Sequence, residues 1–302
     1  MLLEFAIGDA YGRTFEFASK EFIKEHNDIK GYKHREGEIM DGIGIYTDDT
    51  QMSLGVAELL LSGAPTTQIR YAHHFLDAYK RDPRGGYSRR IRAALEDSNP
   101  RFPFEFLLKT KPAGFKSNGS VMRTMAIGLI PNTDEIIHNC MVHTSTSHGS
   151  MEALNATVAI ALTVHYLYYI HKANGNPVKD VSDYQTWMKE KMGASYDTVM
   201  DSYDDGELPC DGMKSAASAI RMVWEYDDLG FMLFKSIEKG GDVDTLAALS
   251  LGLGSLKGAK PLAPIFYTNL ENGKYGKDYI VELDKMLFDK YPKVQAKNEI
   301  LL

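Results

Sequence analysis

Two short runs carry most of the chemistry open to this sequence. Thr47-Asp48-Asp49-Thr50 and Gly240-Gly241-Asp242-Val243-Asp244-Thr245 each place two carboxylates and at least one hydroxyl just before an apolar stretch. Neighbouring carboxylates repel, so each run needs something to face. Carboxylate and hydroxyl oxygens are hard ligands, which select magnesium, manganese or calcium over zinc. Asp and Thr ahead of a helix also serve as N-caps, the commonest task of these residue types there. A cap uses one side-chain oxygen and each run offers three or four, so one oxygen can cap while the rest face a cation.

The elements that must position these groups read as helices. After Thr50, apolar residues at 52, 54, 56, 59, 60 and 61 mark a mostly buried helix that Gly63 and Pro65 stop. Pro65 then suits the first turn of the next helix, TTQIRYAHHFLDAYK. Helical patterns recur in YSRRIRAALED, VMRTMAIGLI, DEIIHNCMVH, MEALNATVAIALTVHYLYYI, GMKSAASAIRMVWEY, DTLAALSLGLGSLKG and DYIVELDKMLFDKY. The helix after the second acidic run is built from small residues, Ala247, Ala248, Ser250, Gly252, Gly254 and Ser255, and can pack closely at the centre of a bundle. Alternating strand patterns are missing. The loops DPRGGY, KTKPAGFKSNGS and KANGNP are too short to be interdomain linkers, and no fixed-period repeat occurs. The expectation is a single all-α domain over 1–302.

Composition narrows the partners. The chain has 302 residues, 44% of them hydrophobic and 25% charged, enough for a sizeable core. A net charge of −7 provides no basic field for nucleic acid or an anionic membrane. Cys140 and Cys210 have no paired spacing, so neither a disulfide framework nor a thiolate zinc site is indicated, and a reducing, cytoplasmic setting is expected. The opening MLLEFAIGDAYG lacks a basic region, carries Glu4 early and runs into glycines, unlike a signal peptide. VAIALTVHYLYYI, interrupted by Thr163 and His165, falls short of the roughly 20 apolar residues of a membrane span and reads as a buried helix.

Several ordered motifs resemble the ADP-ribosylglycohydrolase family, which includes the dinitrogenase reductase-activating glycohydrolase. GDAYGRTFE at 8–16 is similar to its opening Gly-Asp-x-x-Gly motif with a following glutamate. TDDTQMSL resembles its first metal motif and GGDVDTLAAL its second. YKRDPRGGY at 79–87, FKSNGSVMR at 115–123 and the histidine of TSTSHGSMEALNAT at 144–157 resemble its substrate-binding loops. The resemblance covers roughly Ala6 to Tyr267 and implies an all-α orthogonal bundle around two central magnesium ions, with manganese as an alternative.

The roles follow residue by residue from that resemblance. Thr47, Asp48, Asp49, Asp242, Asp244 and Thr245 would hold the two cations, which bind the distal ribose and orient its anomeric carbon. Glu16 matches the catalytic glutamate, with Asp48 and Asp244 as further catalytic carboxylates. Composition alone would leave Glu16 a surface residue. The substrate would be ADP-ribose on a modified target, and nucleic acid would enter only as such a modified substrate. Its diphosphate, met by an acidic protein, would bind backbone amides of glycine-rich turns at helix starts. The turns that suit are Arg84, Gly85, Gly86 and Tyr87 before YSRRIRAAL, and Ser117, Asn118, Gly119 and Ser120 before VMRTMAIGLI. His148 would bond near the adenosine, and Phe115 or Tyr87 would stack on adenine, with core packing as the alternative for either ring. Val243 stands where the family has threonine, so weaker support around the ions is expected. The short stretch before the first motif points to a truncated first helix. Two other readings share these residues: a non-catalytic ADP-ribose-binding or crystallin-like structural member, and a magnesium-dependent phosphohydrolase, which has no task for Glu16.

Overall fold

Helix after helix follows from the caps and apolar spacing just described. The computed structural model describes residues 1–34, 42–110, 114–171 and 180–293. The expected KANGNP loop at 172–177 and positions 111–113 of KTKPAGFKSNGS lie outside the described residues. The N-terminal half holds α1 (Leu2–Gly12), α2 (Lys20–His26), α3 (Asp48–Ser62), α4 (Gln68–Arg81), α5 (Arg89–Glu96), α6 (Phe104–Thr110) and α7 (Thr133–Thr144). Next come α8 (Met151–His165), α9 (Val181–Met192), α10 (Ala194–Met200), α11 (Gly212–Glu225) and α12 (Leu229–Glu238). The chain closes with α13 (Val243–Lys257), α14 (Pro264–Thr268) and α15 (Lys277–Lys290). Among the described residues, β-pairing is limited to three isolated bridges, so the fold is all-α.

The core is organised around α1 and α13. Every residue of α13 from Val243 to Gly254 is buried, as the small side chains of that helix allow. On α1, Gly8 and Gly12 are one turn apart and face α13. A Cβ on Gly8 would stand 2.4 Å from the Ala247 carbonyl oxygen, and one on Gly12 would stand 2.4 Å from the Asp244 Cα. The two helices therefore meet backbone to backbone. Between these glycines, Asp9 turns to the start of α3, so one helical turn joins both acidic runs.

Three expectations are corrected. VMRTMAIGLI forms no α-helix: a 3-10 turn at Asn118–Ser120 is followed by a second at Met125–Leu129. A Cβ on Gly128 would lie 2.3 Å from the Ala161 carbonyl oxygen, and the segment is buried on nearly every side, so packing against α8 overrides its helical pattern. Pro65 precedes the helix it was expected to open, because Thr67 caps α4 through the Arg70 amide. The apolar helix around Val158 continues through a π-helical turn at Tyr166–Ile170, so Met151–Ile170 is long and apolar enough to span a membrane by length and composition. Yet 78% of its apolar window is buried inside this protein.

Candidate active site

The caps bear on the two readings of the acidic runs. Eight other helices, among them α4, α8 and α12, are capped by the side chain of their own N-cap residue. Neither Thr47 before α3 nor Asp242 before α13 makes a side-chain cap. The start of α3 is bound from outside by Asp9, which accepts the amides of Thr47 (3.0 Å) and Thr50 (3.0 Å) and both threonine hydroxyls. The carboxylates of Asp48 and Asp49 are thus released from capping. At the other run, Asp244 accepts the neighbouring Thr245 amide, whereas Asp242 accepts Asn118 Nδ2 at 2.5 Å.

Asp48, Asp49, Asp242, Asp244 and Glu16 then line one cleft of about 270 Å³. Ligand oxygens of Glu16, Asp242 and Asp244 lie within 4.8 Å of one another. Burial, reinforced by mutual repulsion, pushes the carboxyls of Asp48, Asp49 and Asp244 well above the usual range. No Lys or Arg forms an ion pair with any of the four aspartates among the described residues. One oxygen, Asp49 Oδ1, is buried with no hydrogen-bond partner. A buried carboxylate oxygen without a donor is costly unless a cation or proton meets it. The donor set is oxygen only, hard, and converges from three separate segments. It fits a hard divalent cation.

Glu16 is held over this cleft by an unusual bend. After α1, Phe17 takes a left-handed backbone (φ 49°), a conformation uncommon outside glycine, and its amide donates to the Gly241 carbonyl at 2.8 Å. The loop bearing Glu16 is thereby tied to the loop bearing Asp242. Gly241 is itself left-handed (φ 83°), and a Cβ there would meet the Leu208 carbonyl oxygen at 2.1 Å.

The remaining sequence candidates divide. Gly86, Tyr87, Ser117, Asn118, Gly119, His148 and Thr245 line the cleft. Gly85 instead gives its carbonyl to the Asp48 amide (3.1 Å), and Gly86 (φ 97°) leaves room for the Asp48 carboxylate, which a Cβ would strike. This turn therefore serves the carboxylate as well as any ligand. Thr47 does not line the cleft, and its hydroxyl proton goes to Asp9 (2.8 Å), leaving lone pairs for other use. Ser120 is a correction: it is fully buried, shares a 3.0 Å hydrogen bond with Thr157, and lies behind the cleft. With no α-helix after it, the Ser117–Ser120 turn offers amides but no helix dipole. Tyr87 packs edge-on against Tyr79 and donates to Gln51, the core role foreseen as its alternative. Phe115 is 41% exposed, with the Arg90 guanidinium 4.0 Å over one face of the ring. Arg84 spends its charge on Asp82 and Glu271. Val243 is fully buried and absent from the cleft lining.

Sequence reasoning missed Asp9, Phe17, Arg90, Arg123 and Cys210. Asp9 and Arg123 stood inside quoted motifs without a role, and their burial was the missing signal. The Cys210 thiol, at the rim, is pushed up to about 12 by burial and by Asp242.

A family model described as ADP-ribosylglycohydrolase matches residues 1–297, so the chain belongs to the ADP-ribosylglycohydrolase family. Among its relatives is ADP-ribosylhydrolase ARH3 of Xenopus tropicalis, 28% identical over 55% of this chain and 48% of that protein. The Mus musculus ADP-ribosylhydrolase ARH3 is 23% identical over 71% of this chain and 69% of its own length. The chain spans about half the length of the first of these relatives. A solved structure titled ADP-ribosylglycohydrolase-related protein complex shares the fold, with a TM-score of 0.64, 20% identity and 95% coverage of both chains.

Proposed function

We propose that this protein is a metal-dependent hydrolase that cleaves the glycosidic bond between ADP-ribose and an acceptor, N- or O-linked. The acceptor is a protein side chain, a nucleobase or a small molecule. The observation that carries the reading is the carboxylate cluster in which Glu16, Asp242 and Asp244 converge, in the same cleft as the partnerless Asp49 Oδ1. Family membership and the names of the relatives support the substrate class. Asp48, Asp49, Asp242 and Asp244, with Thr47 and Thr245, would hold two magnesium ions, or manganese. Such ions supply orientation of the ribose hydroxyls and polarisation of oxygen.

The chain's own groups do the rest. Glycosidic cleavage passes through an oxocarbenium-like state and needs a carboxyl group beside the scissile bond. Glu16 is half-buried at the cleft wall, and its loop is held by the Phe17–Gly241 hydrogen bond. In this reading it orients the water that attacks the anomeric carbon and takes a proton from it as the bond to the acceptor breaks. The amides of the Ser117–Gly119 turn would contact the diphosphate, His148 would bond near the adenosine, and the exposed Phe115 ring would stack on the adenine. A cytoplasmic location completes the proposal.

Release of ADP-ribose from ADP-ribosylated arginine and serine peptides, measured with magnesium and with a chelator, tests it. Magnesium-dependent release from either supports the reading. Tight ADP-ribose binding with no cleavage of arginine, serine or nucleobase linkages would move the assignment to a non-catalytic binding protein.

A further inference from the structure

We propose that Arg123, Ser147 and His148 form a directed hydrogen-bond line that fixes the imidazole as its Nε2–H tautomer and presents the Ser117 hydroxyl to the cleft as a standing donor for the ligand's diphosphate. The choice of ligand rests on the ADP-ribose reading above; the line itself rests on geometry. Among the described residues, Arg123 is the largest fully buried side chain and none of its hydrogen bonds goes to a carboxylate. Its guanidinium lies 4.3 Å over the Phe75 ring. Nε donates to His143 Nε2 at 2.9 Å, Nη1 points to Met52 Sδ at 3.1 Å, and Nη2 donates to Ser147 Oγ at 2.6 Å. A guanidinium accepts nothing, so the direction of each bond is set.

That direction propagates. Ser147 Oγ accepts from Arg123 and keeps one proton to give, and His148 Nδ1 stands 2.8 Å away. The opposite tautomer would leave this hydroxyl proton without that acceptor and turn an N–H toward an oxygen already facing a cation. Nδ1 is therefore the acceptor and Nε2 carries the proton. Nε2 lies 3.0 Å from Ser117 Oγ, which accepts, so the proton of Ser117 is left for the cleft that Ser117 lines. The ring stays neutral, because burial and the nearby Arg123 and Arg90 push His148 down to about 3. Gly119 makes room for it: a Cβ there would stand 3.1 Å from His148 Cε1.

The arrangement answers how a cleft crowded with carboxylates takes a diphosphate. A cation placed among the carboxylates would pair with them, whereas a buried cation acting through two hydroxyls and an imidazole gives a polarised but uncharged donor. Hydrogen bonds in such a chain polarise one another in the same sense. Arg123 and Ser147 are positioning residues, since they act on the diphosphate through His148 and Ser117.

Side-chain 15N shifts of the full-length protein, with His148 assigned by difference from His148→Gln, read the tautomer without any ligand. The neutral Nε2–H form is expected at pH 7, and a doubly protonated or Nδ1–H imidazole overturns the line. Ser147→Ala should shift His148 from a pure Nε2–H tautomer and weaken ADP-ribose binding about tenfold, the loss of one hydrogen bond of charge-assisted strength. KM should rise with kcat unchanged, and Ser147→Thr should restore both readouts. A Ser147→Ala protein that melts earlier but keeps tautomer and affinity makes Ser147 merely structural and overturns the proposal. Wild-type protein with the expected tautomer but no affinity for ADP-ribose overturns the ligand and the cleft reading together. ADP-ribose binding by a protein with the Nδ1–H form overturns the line and leaves that reading standing.

Discussion

At the residue scale, Glu16 and Asp9 separate chemistry from positioning. Glu16→Gln keeps the shape and most hydrogen bonds of the side chain but removes the base. ADP-ribose release should slow about 10² to 10⁴-fold, the usual share of general acid–base catalysis. Calorimetric affinity for ADP-ribose should stay near that of the wild type; turnover at the normal rate would transfer the role to Asp48 or Asp244. Asp9 touches no ligand, yet four donors from Thr47 and Thr50 converge on its carboxylate, which burial pushes upward against their pull. Asp9→Asn turns an amide N–H₂ toward some of those donors. Magnesium affinity should fall about 10 to 100-fold, as for groups that orient metal ligands. Stability should drop by about 1.5–3 kcal/mol, the range for a buried hydrogen bond to a charged group. Unchanged affinity in a magnesium titration would show that Asp9 only starts α3.

At the element scale, the contact of α1 with α13 sets the distance between the acidic runs. Gly12→Ala would push a methyl into the Asp244 Cα, a backbone atom with nowhere to retreat. Overpacking of this kind costs about 1–3 kcal/mol. Because the displaced turn carries Asp244, the variant should also lose magnesium affinity, which a defect remote from the site would not cause. Denaturation with and without magnesium checks it: a Gly12→Ala protein stabilised by the ion as fully as the wild type would refute the link.

At the scale of the whole molecule, the raised carboxyls tie stability to pH and metal. For Asp48, Asp49 and Asp244 the folded-state value lies above the unfolded one, so the folded chain holds extra protons. Their contribution is fully present below the unfolded value near 4 and is lost as pH rises through the raised folded value. A divalent cation replaces those protons and binds better as they leave. The rise in Tm on adding magnesium to chelator-treated protein should therefore grow from pH 5 to pH 8. A flat or shrinking increment in a thermal-shift series would count against a cation in this cleft. One calorimetric transition is expected, because nearly all buried apolar side chains of the described residues join one cluster from Met1 to Leu287; two resolved transitions would divide the proposed single domain.

Residue type and spacing alone carried the all-α class, most long helices and the two acidic runs, because apolar period and N-cap chemistry are local properties of the chain. Composition could not choose between cap and ligand for Asp48 or Asp242, since both tasks use the same oxygen. Only tertiary structure shows that neither caps its helix, by bringing Asp9 across to the start of α3 and Asn118 across to Asp242. The same limit hid Arg123, whose importance lies in being buried with no hydrogen bond to a carboxylate. It also misplaced VMRTMAIGLI and Ser120, where packing against α8 outweighed local helical pattern. Val243 looked like a lost hydroxyl in the motif, and the twist of α13 turned it into the core. Sequence determined which groups could do the chemistry; the long-range packing of α1, α3 and α13 determined which of them meet, because burial and mutual distance exist only once the chain has folded.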